Sequence, residues 1–191
     1  MKQLLALLAF LVAFPATGAI GTDEHRELCD RALGKEKRMV PFEDARLRGY
    51  AEEFLRKTEM RGRPVLLCVT DRAGAGAWND VVESKRGAVF VIGVGRRFVQ
   101  DLGVHLRAVI AHEVGHVVQG DLNHCIRNTG SLERCELDVD RIAIGWVGKA
   151  AALAAIRAII RWGDEESARH PIAYAGSSEL RQRLRVLEGT P

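Results

Sequence analysis

Two histidines four residues apart inside a helical pattern limit what this chain can fold into more than any other feature. His112 and His116 belong to the pentapeptide His-Glu-Val-Gly-His, and apolar residues such as Val114 and Val117 lie among and beside them. On an α-helix, residues four apart lie about one turn apart on one face, so both imidazoles can reach the same tetrahedral ion. Glu113 would project beside that ion, where its carboxylate can accept a proton from metal-bound water. The pattern therefore predicts a buried helix with two zinc ligands and a general base.

A chance meeting of two histidines and a glutamate on a helix is the alternative interpretation. The segment is apolar around the motif, and buried polar side chains without partners are costly, which favours a bound metal. A catalytic zinc also needs a third protein ligand. The pattern HExxHxxGxxH requires a glycine at position 119 and a histidine at position 122, where this chain has Gln119 and Leu122. All three methionines precede the motif, which excludes the methionine turn of that class as well.

An acidic helix downstream offers the third ligand instead. Glu136 and Asp140 are four residues apart, so they share one helix face. We expect Glu136 to complete the zinc shell and Asp140 to accept a hydrogen bond from a ligand histidine, which would fix the orientation of its ring. An acidic, solvated helix start is the alternative interpretation. Rival ligands are present at three further positions, Glu133, Asp138 and His124.

These motifs resemble those of the M48 family of zinc peptidases, the Ste24/HtpX/Oma1-like gluzincins, in a small exported branch. The pentapeptide followed about twenty residues later by Glu136 and Asp140 carries most of the likeness. Other stretches similar to family motifs are Ala77-Trp78-Asn79, the strand-like residues 87–95, and His170-Pro171 with Arg181. The likeness follows the family's order over about residues 40–188.

The resemblance implies an α+β fold, a mainly helical zincin-like metallopeptidase domain with a small β-sheet beside the HExxH helix. It implies a zinc-dependent endopeptidase, in which Glu113 activates a zinc-bound water and Asp140 supports a ligand histidine. The implied ligands of one Zn²⁺ per chain are His112, His116 and Glu136. His170 would act catalytically, by stabilising the developing oxyanion or by touching the substrate.

The expected partner is a protein or peptide substrate in an extended or unfolded form. Residues 87–94 are patterned as a strand directly before the HExxH helix, and in zincin-like folds such an edge strand pairs with substrate through main-chain hydrogen bonds. The main alternative is an exported zinc-binding protein without turnover, chaperone-like or an assembly partner. A metal-free structural protein is a further alternative, and the N-terminal segment opposes a cytoplasmic DNA-binding regulator.

Residues 1–19 have the composition of a secretory signal peptide, with a basic start, an apolar core over residues 4–14 and small residues near the end. An uncleaved anchor is the alternative. The remaining residues 20–191 suit a single domain, which we expect to be periplasmic or secreted. A net charge of +3 without a dense basic run argues against a nucleic-acid partner. Because Lys149 and Arg157 interrupt the apolar run over residues 142–160, we expect a core helix there and membrane contact that is peripheral at most.

Four cysteines, an even number in a chain expected to enter an oxidising compartment, allow three disulfide pairings. Cys125 and Cys135 bracket the connection between the two expected ligand helices, where a bridge would fix one helix against the other. We therefore favour Cys125 with Cys135 and, by elimination, Cys29 with Cys68. Buried free thiols are the alternative, and the lack of a CxxC pair disfavours thiolate zinc ligands.

Periodicity and turn residues predict a coarse order of elements. Helices are expected over residues 24–34, 41–61, 98–119, 131–162 and 178–188, and strands over residues 64–70 and 87–95. Gly74, Gly76 and Asn79 indicate a loop between the two strands. Ser131 is the expected N-cap of the fourth helix.

Overall fold

The computed structural model describes residues 20–34, 38–120, 122–170 and 177–189, with the backbone alone at residues 122–124. The signal segment predicted over residues 1–19 lies outside these ranges. Within them, the elements in chain order are α1 (Thr22–Leu33), β1 (Val40–Phe42), α2 (Ala45–Leu55), β2 (Val65–Thr70), β3 (Ala77–Ser84), β4 (Gly87–Gly95), α3 (Arg96–Leu102), a 3₁₀ turn (Gly103–His105), α4 (Leu106–Gln119), α5 (Leu122–Thr129), α6 (Leu132–Val147), α7 (Lys149–Arg169) and α8 (Ser178–Gly189).

The strands form one mixed sheet in the order β1-β2-β4-β3. β2 and β4 pair in parallel, while β1 and β3 pair antiparallel on the two outer sides. β2 is buried at every position, which its unbroken apolar run requires of a central strand with both faces covered. The chain is therefore α+β, mostly helical with a small sheet, and this coarse fold class is confirmed.

Alternate side chains of β2 enter two separate hydrophobic clusters, because successive residues of a strand point to opposite faces. Leu67 belongs to the main core, which α2, α4 and α7 also build. Its neighbour Leu66 packs in a second cluster with residues of α1. Leu106, Ile110 and Val114 of α4 are fully buried in the main core, so the helix that carries the histidines is fixed against the sheet.

Two disulfides join the four cysteines in the expected pairing. Cys29 with Cys68 connects α1 to β2, and Cys125 with Cys135 connects α5 to α6. Their sequence separations of 39 and 10 residues correspond to about 4 and about 3 kcal/mol of stabilisation through the unfolded chain's lost entropy. The long-range bridge thus fixes an N-terminal helix to the sheet, and the short one fixes the start of α6.

The helix predicted over residues 41–61 is wrong in its first and last parts. Pro41 lies in β1, at the edge of the sheet, where a missing N–H is tolerated. α2 begins only after Asp44, whose carboxylate accepts hydrogen bonds from the backbone N–H groups of Arg46 and Leu47. It ends at Leu55, and turns follow up to residue 62.

Glycines divide the two longest predicted helices. Gly103, with φ of 44°, separates α3 from the 3₁₀ turn before α4, and Gly148, with φ of 86°, separates α6 from α7. Such backbone angles favour glycine and end a regular helix. Each predicted single helix is therefore two helices that can pack in different directions.

The region predicted as a loop around Gly74, Gly76 and Asn79 contains a strand. β3 starts directly after Gly76 and includes Asn79, and it pairs with β4 along its whole length. β4 therefore lies between β2 and β3 and is not an edge strand, which corrects the expectation for residues 87–94. The edge of the sheet nearest the histidines is β3.

The alanine-rich run over residues 142–160 is divided between α6 and α7, and its apolar side chains are largely buried against neighbouring helices. Ile156 packs in a cluster with residues of α6 and α8, while Trp162 contacts the main core. Among the described residues, no helix combines the length and the apolar character needed to cross a bilayer.

We predict that His25 makes the protein less stable as the pH falls. His25 is 5% exposed on α1, its Nε2 lies 2.9 Å from the carbonyl oxygen of Leu67, and burial lowers the pKa of its imidazole below 6.5. The unfolded chain takes up a proton near pH 6.5 while the folded protein resists it, so stability is lost as the pH falls through that value. In urea titrations, the advantage of the wild type over His25→Gln should shrink between pH 7.5 and 5.5; a constant difference would contradict this.

Candidate metal centre

α4 and α6 approach each other closely where the two sequence motifs meet. Gly115 of the pentapeptide faces Val139, and a Cβ atom at position 115 would lie 2.9 Å from Val139 Cγ1, closer than real Cβ contacts. A glycine here therefore allows the second helix to pack directly on the first. Glu136 stands one turn before Val139 on α6, so the same contact brings its carboxylate towards His112 and His116.

Three side chains converge at this crossing, two from α4 and one from α6. Nε2 of His112 is 3.2 Å from Oε2 of Glu136, and Nε2 of His116 is 3.7 Å from Oε1 of the same carboxylate. Ligand atoms bound at 2.0–2.2 Å to one tetrahedral zinc lie about 3.3 Å from each other. One donor atom from each of the three residues lies within 4.8 Å of the others. The spacing and the chemistry of these donors fit a zinc ion.

The other ring nitrogens of the two histidines have partners of their own. Nδ1 of His112 is 2.9 Å from Oδ1 of Asp140, and Nδ1 of His116 is 3.4 Å from Oε1 of Gln119. With Nδ1–H donating to an oxygen, each ring in its neutral form would present the lone pair of Nε2 towards Glu136, as metal ligation needs. Asp140 therefore lies against His112, one of the two histidines that the sequence pattern predicted as its partner.

Arg183 of α8 completes the network, and sequence reasoning missed it. Its Nε donates to Oδ2 of Asp140 over 2.8 Å, its Nη2 to Oδ1 over 2.7 Å, and its Nη1 to Oε2 of Glu136 over 3.0 Å. Arg183 is 7% exposed, so this is a buried, bidentate ion pair. The arginine singled out from the sequence, Arg181, instead pairs with Asp164 at the surface.

The electrostatics of the cluster show how strongly these groups depend on each other. Burial alone would lower the pKa of His112, but its hydrogen bonds to Asp140 and Glu136 outweigh burial and raise that pKa to about 9. Burial alone would raise the pKa of the Glu136 and Asp140 carboxyl groups. Their contacts with His112 and Arg183 outweigh burial, so each pKa lies below its ordinary value. Both acids are therefore carboxylates at neutral pH, as ligation requires.

Glu113 is held apart from the three ligand candidates. Its side chain is 8% exposed, and Oε2 accepts a hydrogen bond of 2.7 Å from Nδ2 of Asn79 on β3. The edge strand thus fixes the carboxylate next to the cluster. Asn79 was part of the family-like stretch in the sequence, but its predicted position in a loop concealed this contact.

A cleft of about 640 Å³ opens over the cluster between α4 and β3. Residues 77–81 of β3 form one wall, and Glu59 and Met60 close part of the rim. His112, Glu113, His116 and Glu136 all line this cleft. The metal candidates and the candidate base are therefore reachable by an extended chain lying along β3.

A smaller, mostly apolar recess of about 170 Å³ adjoins the cleft. It shares Ala77, His112 and Glu113 with the cleft. Its apolar walls are formed by Phe98, Val109, Ile156, Ile159 and Trp162. The recess can therefore receive an apolar side chain close to the carboxylate of Glu113.

The rival ligands do not join the cluster among the described side chains. Asp138 is exposed and pairs with Arg141, and Glu133 is absent from the group of three donors. The side chain of His124 lies outside the described residues. Glu136 is thus the acidic donor that the described structure brings to the histidines.

His170 occupies a different part of the surface. It follows the end of α7, is exposed, and lines a pocket of about 310 Å³ with Arg72 and the buried Glu166. Within the described ranges it lines neither the cleft nor the apolar recess. Its catalytic role stays a prediction without a supporting contact.

A second group of possible metal donors is formed by His25, Cys29 and Cys68. Both sulfurs are used in the disulfide, and Nε2 of His25 bonds the carbonyl oxygen of Leu67. A disulfide offers no thiolate, so this group is structural in the oxidised protein.

Comparisons of the chain with models of protein families, with curated proteins and with solved structures found no match.

We predict that Arg183→Met strongly destabilises the metal-free protein, whereas Arg181→Met does not. Removing Arg183 takes the guanidinium away from the buried Asp140 and the half-buried Glu136 and breaks a buried ion pair, which should lower the free energy of unfolding by about 3–5 kcal/mol. The Arg181 and Asp164 side chains are each 48% exposed, so loss of that pair should cost no more than about 1 kcal/mol. Urea denaturation of both variants measures the difference, and equal losses would show that the buried network is not the stabilising one.

We predict that the Cys125–Cys135 disulfide supports zinc affinity and that the other disulfide does not. Gln119 Nε2 donates to the carbonyl oxygen of Cys135 over 2.5 Å, while its Oε1 faces His116, and Cys135 directly precedes Glu136. Replacing Cys125 and Cys135 by serine should weaken zinc binding about tenfold or more, since such outer contacts orient ligands. Replacing Cys29 and Cys68 by serine should lower stability and leave zinc affinity within about twofold. Competition with a chromophoric chelator compares the two variants, and equal zinc affinities would rule out this role.

Proposed function

We propose that this protein is a zinc-dependent endopeptidase. The observation that carries the proposal is the placement of two imidazoles and one carboxylate at ligand spacing, with the separate carboxylate of Glu113 beside them. His112, His116 and Glu136 would hold the metal, leaving a coordination position for water or substrate. Bound zinc supplies Lewis acidity, which makes water a better acid and polarises a peptide carbonyl.

The residues of the chain supply the proton transfers of the proposed reaction. Glu113 accepts the proton that the attacking water loses and then donates it to the nitrogen of the leaving amine. The hydrogen bond from Asn79 keeps this carboxylate turned to the cleft. Asp140, held in turn by Arg183, keeps the ring of His112 in the orientation that ligation needs.

β3 supports the choice of an extended polypeptide as substrate. It is the outer strand of the described sheet beside the cleft, with Val81 41% exposed and Asp80 exposed. An edge strand offers main-chain N–H and C=O groups to a second strand, so an unfolded segment can pair with it by backbone hydrogen bonds. The apolar recess behind Glu113 favours an apolar substrate side chain next to the cleaved bond.

An M48-like, zincin-like assignment belongs to the same proposal. The order of an edge strand, a helix with HEVGH and a second helix with Glu136 and Asp140 supports it. Two disulfides among the described residues are compatible with an oxidising compartment, and this supports a periplasmic or secreted location.

Zinc content and casein cleavage, measured in the same samples, test the proposed function. The wild type should contain one zinc per chain and cleave casein until a chelator removes the metal. Glu113→Gln should keep its zinc and lose at least about 10²-fold in rate, because the proton acceptor is gone. Glu136→Ala should lose zinc and activity together. Zinc without cleavage in the wild type would favour a zinc-binding protein without turnover. A wild type that contains no zinc would exclude both the peptidase and the zinc-binding protein.

A further inference from the structure

A second large recess lies beyond the turn over residues 56–63, and we call it the arginine groove. Its volume is about 700 Å³. Its charged lining consists of Arg48, Arg56, Arg61, Arg63, Arg86, Glu43 and Glu52. These side chains carry a net charge of +3, equal to the formal net charge of the whole chain. The side chains outside this recess therefore sum to a net charge of zero.

Most of the guanidinium groups in the arginine groove are uncompensated. Arg48 forms an ion pair of 2.6 Å with Glu43 and also donates to the carbonyl oxygen of Val65. The other four arginines are exposed, and within the described ranges none of them forms an ion pair. A guanidinium presents a planar fork of donors that matches a carboxylate. The groove therefore has free capacity for several acidic groups at once.

The arginine groove and the cleft are neighbours on opposite sides of one turn. Glu59 and Met60 line the cleft, whereas Arg61 and Arg63, one to three residues later, line the groove. β3 leads in the same direction, since it runs from Ala77 in the cleft to Ser84 at the hairpin, and Arg86 follows in that hairpin. The five residue-to-residue steps of strand from Asn79 to Ser84 span about 17 Å. Near the hairpin the carbonyl oxygen of Glu83 already accepts a hydrogen bond from Arg31, so a peptide would pair with the first part of β3 and reach the groove within a few residues beyond it.

We propose that the arginine groove binds an acidic segment of the polypeptide substrate, on the N-terminal side of the cleaved bond. This inference rests on the proposed peptidase function and specifies its substrate class. A chain that pairs antiparallel with β3 has its N-terminal part at the hairpin and its C-terminal part at Ala77. The acidic residues would then lie at least about five positions before the cleaved bond.

The shape of the groove favours a peptide over a membrane surface. Its arginines surround a recess that also contains Glu52 and apolar side chains such as Leu55 and Leu66. A peptide segment can insert both carboxylates and apolar side chains into such a recess, whereas lipid headgroups present a plane of charge. The cleft rim, with Glu59 and Asp80, carries the opposite charge, so an acidic segment is drawn to the groove and away from the cleft.

Three quenched fluorescent peptides with the same cleavable core test the proposal. One carries four glutamates N-terminal to the core, one carries them C-terminal to it, and one carries glutamines in their place. The zinc-loaded wild type should cleave the first with a KM about fivefold or more below the others, and added salt should remove the advantage. Equal KM values, or an advantage of the C-terminal acidic peptide, would overturn the proposal.

Two double variants that each lose two positive charges test whether the KM advantage of the acidic peptide arises in the arginine groove. In Arg61→Gln/Arg86→Gln the groove loses two guanidinium groups, while backbone bonds at these residues are kept. In Arg161→Gln/Arg185→Gln two exposed arginines of α7 and α8 are lost. The groove variant should lose the KM advantage of the acidic peptide and keep its rate on the glutamine peptide, and the control variant should behave as the wild type. Identical behaviour of the two variants would overturn the proposal.

Binding to the Glu113→Gln protein separates this proposal from the peptidase function. Fluorescence anisotropy with an uncleaved acidic peptide should show binding that Arg61→Gln/Arg86→Gln weakens about fivefold. Such binding without any cleavage by the wild type would sustain the groove and refute the peptidase. Cleavage of all three peptides without groove-dependent binding would refute the groove and sustain the peptidase. Groove-dependent binding of phosphatidylglycerol vesicles with no binding of the acidic peptide would overturn the proposal in favour of a membrane surface.

Discussion

The close packing of α4 against α6 is the contact on which the rest of the candidate site depends. It is possible because position 115 has no Cβ, so Val139 can lie directly against the backbone of α4. At this separation the carboxylates of Glu136 and Asp140 both reach His112, one at each ring nitrogen. A larger residue at position 115 would move α6 outward and separate the two halves of the ligand set. The glycine of the pentapeptide therefore contributes to the candidate site by allowing the close approach of α6.

Three acidic side chains packed together give the cluster an excess of negative charge. The surrounding structure reduces this excess in two ways. Glu113, Glu136 and Asp140 carry three negative charges, and Arg183 returns one positive charge, so two remain uncompensated while the histidines are neutral. The hydrogen bonds of the His112 ring to Asp140 and Glu136 outweigh burial and raise its pKa to about 9, so without a cation a protonated His112 supplies one positive charge. In the proposed zinc form, a divalent ion held by His112, His116 and Glu136 would balance both charges and replace that proton. The charges of the cluster are therefore compatible with the divalent ion of the proposed function.

The parts of the site that sequence patterns predicted are those set by local periodicity. His112 and His116, like Glu136 and Asp140, are four residues apart, and helix geometry alone places each pair on one face. Arg183 could not be predicted in this way, because it lies 47 residues from Glu136 on a helix whose docking depends on α6 and α7. The contact between Asn79 and Glu113 was not predicted, because nearby glycines favoured a loop at Asn79. Gly76 in fact directly precedes β3, and Asn79 lies in that strand. Gly103 and Gly148 lie inside the helices predicted over residues 98–119 and 131–162, and only their positive φ angles reveal the breaks.

The turn over residues 56–63 gives the molecule two neighbouring surfaces of opposite charge. Met60 is 7% exposed and anchors the turn in the main core, so the wall between the cleft and the arginine groove is fixed at its centre. Acidic side chains at the cleft rim repel acidic residues near the candidate base, while the arginines beyond the turn attract them. For a substrate peptide paired with β3, the repulsion and the attraction act in the same direction. Together they select one register of the substrate on the strand. A fixed register would determine which bond meets Glu113, so discrimination between substrates would come from charge placed several residues away from the reacting atoms.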